Sequence, residues 1–209
     1  MRKHRVWLFA VLLVGVFGLV GCDLFNSAPI AAFSWLPLEP LARTDVQFTD
    51  MSTDNKGVVS WLWDFGDSTT SAAQHPKHKY EQGGQYTVRL TVTDASGATA
   101  TTMRSLTVTP SLDGFWNGVI TDLGFNQLTL QLNLNHSTSG GISGTMTILA
   151  TTQVINSGSF DPSSRELMLT CTSFGLVLRG TLNANEDRIS GFWYNDVAGW
   201  RGEDWSVSR

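Results

Sequence analysis

Cysteine is almost absent from this sequence: Cys22 and Cys171 are the only two among 209 residues. At most one disulfide is possible, so a hydrophobic core and not a covalent framework must hold the fold. Charge is scarce too, at 15% of residues, against about a quarter in an ordinary globular chain. Basic residues are the scarcer sign, 14 against 18 acids for a net charge of -4. Three of them, Arg2, Lys3 and Arg5, fall in the first 21 residues, where there is no acid, which leaves 11 basic against 18 acidic residues and about -7 for the rest. An acidic body repels phosphate backbones and anionic lipid surfaces, which argues against nucleic acid as a partner. What is present is a 42% hydrophobic fraction spread among Thr, Ser, Gly and Asn. That mixture suits strands and turns over helices, and an all-β fold of one or two domains is expected.

The one long apolar run, Val6 to Val20, follows a basic start and ends Leu19-Val20-Gly21-Cys22. It has the length of a signal-peptide core and is short for a membrane span, which needs about 20 apolar residues. The segment resembles the lipobox signal peptide of bacterial lipoproteins. That resemblance implies cleavage between Gly21 and Cys22, a diacylglycerol thioether on Cys22, and a freed amine open to acylation by palmitate or a similar chain. Residues 1–21 then form a signal peptide and residues 22–28 a tether. The body is expected to sit lipid-anchored on the cell membrane or outer membrane, facing the periplasm or the exterior. Two or three acyl chains hold firmly where one gives marginal binding.

From residue 29, strand signals alternate with turn residues. Val46 and Phe48 alternate, and Tyr86, Val88, Leu90 and Val92 keep a period of two, so one face of each segment is buried. Between them stand Trp63-Asp64-Phe65-Gly66-Asp67 and His75-Pro76-Lys77-His78-Lys79-Tyr80. Trp63 and Phe65 lie on one side of a strand with Asp64 on the other, Gly66 permits a bend, and Asp67 is placed to bind turn amides. These motifs, with the Gly84-Gln85-Tyr86-Thr87-Val88 strand and the Val92-Thr93-Asp94 end, resemble a PKD domain over residues 29–109. The resemblance implies an immunoglobulin-like β-sandwich serving as a spacer, an adhesive unit or a carbohydrate-facing accessory. Trp63, Asp64, Phe65, Gly66, Asp67, His78, Tyr80 and Tyr86 read as structural. Asp64 and Asp67 have no acid-base partner in the pattern, and His75 and His78 have no third metal ligand.

Residues 112–209 show eight candidate strands, near 114–121, 126–135, 142–149, 153–160, 165–172, 175–183, 188–195 and 200–208. Leu128, Leu130, Leu132 and Leu134 form the clearest alternating stripe. Short loops between consecutive strands predict an antiparallel up-and-down meander, and closing it into a barrel removes exposed edges. The start Asp113-Gly114-Phe115-Trp116-Asn117-Gly118 and the repeated Ser-Gly steps resemble lipocalin-like or avidin-like barrels in pattern. Cys171 alternates with Leu167 and Leu169 and reads as a small buried side chain. Trp116, Trp193, Tyr194, Trp200 and Trp205 admit two readings: a ligand pocket or carbohydrate-stacking face, or a plug where the first and last strands meet. Asp187, Asp196, Glu203 and Asp204 read as solvated acids.

The sequence therefore predicts a lipid-anchored, two-domain, all-β protein without catalytic residues, cofactor or metal. Its expected role is binding or structural interaction at the cell envelope, with an envelope protein or carbohydrate as partner. An alternative is a carrier holding a small apolar ligand in the barrel, and a glycan-processing enzyme ranks third.

Overall fold

The computed structural model describes residues 26–209, apart from the side chains of Phe174, Trp200 and Glu203. The proposed signal peptide and Cys22 lie outside the described residues. The described chain is all-β, with one three-residue 3-10 turn at Thr172–Phe174.

Seven strands build the first domain: β1 (Phe33–Leu36), β2 (Asp45–Asp50), β3 (Val58–Asp64), β4 (Thr70–Ser71), β5 (Lys77–Lys79), β6 (Gly84–Asp94) and β7 (Thr99–Val108). They form two antiparallel sheets, β1-β2-β5 and β4-β3-β6-β7. The period-two residues face inward: Val46 and Phe48 from one sheet meet Trp63, Val88, Leu90 and Val92 from the other, with Phe33, Phe65 and Tyr80 between them. This is the β-sandwich expected of alternating strands with one buried face. The β6–β7 turn is fixed by Asp94, whose Oδ1 accepts the amides of Ser96 and Ala98, both at 2.8 Å. Asn26 donates to the other Asp94 oxygen at 2.8 Å. The described chain thus enters the sandwich at the β6–β7 turn, the end remote from Gly83.

The second domain has nine strands: β8 (Gly114–Thr121), β9 (Gln127–His136), β10 (Ile142–Ile148), β11 (Thr151–Ile155), β12 (Ser157–Asp161), β13 (Glu166–Cys171), β14 (Leu176–Leu182), β15 (Arg188–Asn195) and β16 (Trp200–Ser208). Their order is β11-β10-β9-β8-β16-β15-β14-β13-β12, so the first and last strands of the domain pair. The segment expected as one strand over 153–160 is two. Asn156 divides it, accepting the Thr172 amide (2.8 Å) and hydroxyl (2.9 Å) on its side-chain oxygen. At that point the segment changes partner, from β10 through β11 to β13 through β12. One bent segment therefore closes the meander, helped by a bridge between Gly141 and Ser159. The sheet is a nearly closed barrel. Its interior is filled by Leu130, Leu132, Leu134, Leu167, Leu169, Leu178, Ile189, Val207 and the two indoles Trp116 and Trp205.

The connector between the domains is short and buried. Pro110, Ser111 and Leu112 all lie inside, and Leu112 belongs to the barrel core. Strand direction then orders the molecule. Gly83 and Pro110 sit at the barrel end of the sandwich, and the turns after β9, β12 and β14 face them. The turns after β8, β10, β13 and β15 lie at the opposite, distal end of the barrel.

Candidate functional site

The motif residues of the first domain lock to one another. The Trp63 indole N–H donates to the Ala73 carbonyl at 2.9 Å. Asp64 accepts the Gly66 amide at 3.0 Å. Gly66 has φ +81, and a Cβ there would lie 2.7 Å from the Thr87 carbonyl oxygen, so only glycine fits. The His78 ring stacks on Phe65 at 4.1 Å, and its Nε2 lies 2.7 Å from Asp67 Oδ2. Burial works to raise the Asp67 pKa, but hydrogen bonds from Thr69 and His78 and the His78 charge bring it below the ordinary value. Tyr80 donates to the Phe65 carbonyl at 3.1 Å, and burial pushes its phenol pKa up. Tyr86 packs against Tyr80 at 4.2 Å and donates to the Gln82 carbonyl. Every member is spent on the turn or the core. His75 faces elsewhere, its Nδ1 accepting the Asp50 amide at 3.1 Å. Among the described residues no cluster of three metal-ligating side chains forms.

The barrel aromatics divide between inside and outside. Trp116 is buried, donating to the Leu112 carbonyl at 2.9 Å. Trp205 is buried where β8 meets β16, its N–H shared by the Arg179 and Phe192 carbonyls at 3.0 Å each. Trp193 half-covers the distal opening and donates to the Thr121 carbonyl at 2.8 Å. Gly202 makes room for it, since a Cβ there would fall 1.8 Å from the indole. Tyr194 is on the outer surface, 5.9 Å from the Arg179 guanidinium, beside Phe192 under Arg201. The backbone of Trp200 begins β16. Cys171 is buried, and Asp187, Asp196 and Asp204 are exposed.

Two features at the ends of the barrel were not legible in the sequence. At the near end, Glu186 is fully buried although it sits in a polar turn. Its Oε1 accepts the Gly83 amide of the first domain at 2.7 Å and lies 3.8 Å from Arg165 Nη2. Arg209 donates to the Ser111 carbonyl and lies 4.3 Å over the Trp116 ring. Burial first, and Arg43 second, lower the Arg209 pKa to about 10, with Glu186 and Asp113 opposing; Glu186, paired with Arg165, thus sits in a charged junction with Arg43 and Arg209. No sequence signal marks Glu186, because an acid in an Asn-rich turn reads as solvated.

At the distal end a hollow of about 140 Å³ opens between Ile120, Leu128, Ile148, Leu176 and Trp193. It is smaller than the roughly 300–1,000 Å³ of an ordinary small-molecule pocket. Behind it lies the core cluster of the barrel, with Leu130, Leu178 and Trp205.

Comparison with known proteins finds a family and close sequence relatives over the first domain. A family model described as PKD domain matches residues 26–109. A microbial collagenase of Vibrio alginolyticus is 38% identical over 84 residues, 40% of this chain and 10% of that protein. Collagenase ColA of Bacillus cereus is 39% identical over 74 residues, 34% of this chain and 8% of that one. The chain therefore spans about a tenth of the length of these relatives. The PKD1 domain of Vibrio anguillarum Epp, a crystal structure, is 41% identical with a TM-score of 0.37, covering 40% of this chain and 96% of that one.

Proposed function

Residues 26–109 are a PKD domain, and from that premise we propose that the protein is a lipid-anchored, non-enzymatic spacer of the bacterial cell envelope that presents its barrel to a partner. The domain is homologous to those of bacterial collagenases and proteases. The observation that carries the reading is the order of parts along the molecule. The chain enters at the β6–β7 turn through Asn26, and the barrel joins at the other end through Gly83 and Glu186. With β6 running 11 residues, at about 3.3 Å each, the length of the sandwich separates Asn26 from the barrel by about 35 Å.

The buried connector and the charged junction support a stiff rod over two loosely strung domains. Inter-domain motion is the default unless the interface is well packed, and here a two-residue step between Thr109 and Leu112 leaves no slack.

The anchor is tested by changing Cys22 to Ser in the native host and partitioning the cells into membrane and soluble fractions. The wild type should appear in the detergent phase with a mass increased by lipid. The variant should accumulate as precursor or be released. A variant that partitions at the wild-type mature mass refutes the anchor and leaves the two-domain rod standing.

A further inference from the structure

The distal end of the barrel carries apolar side chains where turns ordinarily carry none. The β8–β9 turn exposes Phe125 by 75%, the β10–β11 turn Leu149 by 65%, and the β15–β16 turn Val197 by 86%. Leu149 and Ala150 form a two-residue hairpin turn with both φ positive, 48° and 64°, and Phe125 has φ 62°. Asn and Gly are the favoured residues at such positions. Burial in the core cannot account for the choice, because these side chains are largely exposed. Each adjoins the lining of the 140 Å³ hollow: Phe125 shares its turn with Asp122, Leu149 follows Ile148, and Val197 lies against Gly175, next to Leu176; the lining comprises Ile120, Thr121, Asp122, Leu128, Ile148, Leu176 and Trp193, whose N–H is already bonded. Exposed apolar side chains gathered at one end of a fold in this way mark interaction sites.

Size and charge narrow the occupant. An apolar cavity of about 150 Å³ takes one benzene ring, so the hollow matches a single aromatic or leucine side chain. The four distal segments, residues 122–126, 149–150, 172–175 and 196–199, contain Asp122 and Asp196 and no Lys or Arg. Asp122 holds its charge through hydrogen bonds from Asn126 and from the Gly124 amide. The nearby Arg201 is engaged over the Phe192 ring at 4.4 Å. The acids disfavour an anionic membrane, and a bilayer needs no side-chain-sized hollow. We propose that this distal end docks a partner protein through one apolar anchor residue flanked by Lys or Arg, the anchor entering the hollow over Trp193 and the basic flanks facing Asp122 and Asp196. The site rests on the reading of the barrel as the presented part and is independent of the lipid anchor.

The test uses the full chain in detergent-free buffer, or in zwitterionic nanodiscs where it carries lipid. Three dye-labelled peptides, acetyl-KKFKK-amide, acetyl-KKAKK-amide and acetyl-EEFEE-amide, are titrated by fluorescence anisotropy, with empty nanodiscs as blank. The basic phenylalanine peptide should bind at least tenfold more tightly than either control and weaken as salt rises. A Phe125→Asn/Leu149→Asn variant tolerates the positive φ values and keeps the fold, checked by its melting curve. A second variant, Asp122→Asn/Asp196→Asn, keeps the hollow and removes the charges. Each should lose at least tenfold in affinity. Equal binding of the three peptides, full binding by both variants, or binding no stronger than to empty nanodiscs overturns the proposal. So does docking of the distal end onto added zwitterionic vesicles with no affinity for any peptide, which would assign the surface to a bilayer.

Discussion

Glu186 offers the most demanding test of how the two domains are joined. Its carboxylate is fully buried, accepts the Gly83 amide at 2.7 Å and lies 3.8 Å from the Arg165 guanidinium. At that separation the gross attraction is about 4 kcal/mol at an effective dielectric constant of 20. Desolvation of the two ions offsets much of it, so the intact pair contributes little net stability. Removing one partner is a different matter. Glu186→Ala leaves Arg165, held by the Leu182 and Asn183 carbonyls, without its anion and strips the Gly83 amide of its acceptor. Breaking a buried pair costs about 3–5 kcal/mol, and Arg165, 27% exposed at its side chain, places the expected loss at the low end, about 3 kcal/mol. Alanine brings no backbone relief, because φ is +59° and alanine has a Cβ. Glu186→Gln keeps an acceptor for Gly83 and should lose less, about 1.5 kcal/mol, the low end for a hydrogen bond to a charged group. The assay is urea unfolding followed by tryptophan fluorescence, since each domain has its own buried indoles, Trp63 in one and Trp116 and Trp205 in the other. The alanine variant should separate into two transitions, and small-angle scattering should show a broader distribution of distances. A single transition at the wild-type midpoint would refute the coupling through Glu186.

Other outcomes follow from single sites. Trp63→Ala deletes a fully buried indole and should cost about 3–5 kcal/mol, lowering the melting temperature of the coupled transition; an unchanged melt would remove Trp63 from the core. Leu149→Asn with Ala150→Gly suits the positive φ of both turn residues and should stabilise the barrel by about 1–2 kcal/mol, seen as a rise in melting temperature; a fall would show that the apolar turn is packed. Burial holds the His136 pKa below its ordinary 6.5, with Asp113 opposing, and Nδ1 accepts the Leu112 amide. A lowered folded-state pKa means stability that is complete above about 6.5 and is lost as the pH falls through the folded value. The barrel should therefore melt lower at pH 5 than at pH 7, and His136→Gln should flatten that dependence; an equally steep slope in the variant would clear His136 of the effect.

Much of the architecture was legible because strands with one buried face write a period of two into the chain. Val88, Leu90 and Val92, and Leu130, Leu132 and Leu134, are inward in the structure as they alternate in the sequence. The Trp63–Asp67 motif was legible for the same local reason: its hydrogen bonds close within a turn, from Asp64 to Gly66 and from Asp67 to Thr69. What alternation cannot carry is partnership. Nothing near Asn156 says that the strand there changes neighbour, since the acceptor it supplies serves Thr172, 16 residues on. Glu186 reads as a solvated turn acid until the fold brings Gly83, 103 residues away, onto it. The distal ring of Phe125, Leu149 and Val197 is scattered over three turns, and only the antiparallel order of the strands collects them at one end. Periodicity, a local property of the backbone, determined which residues face inward; the junction and the distal surface depend on contacts distant in sequence, and only the closed fold could decide them.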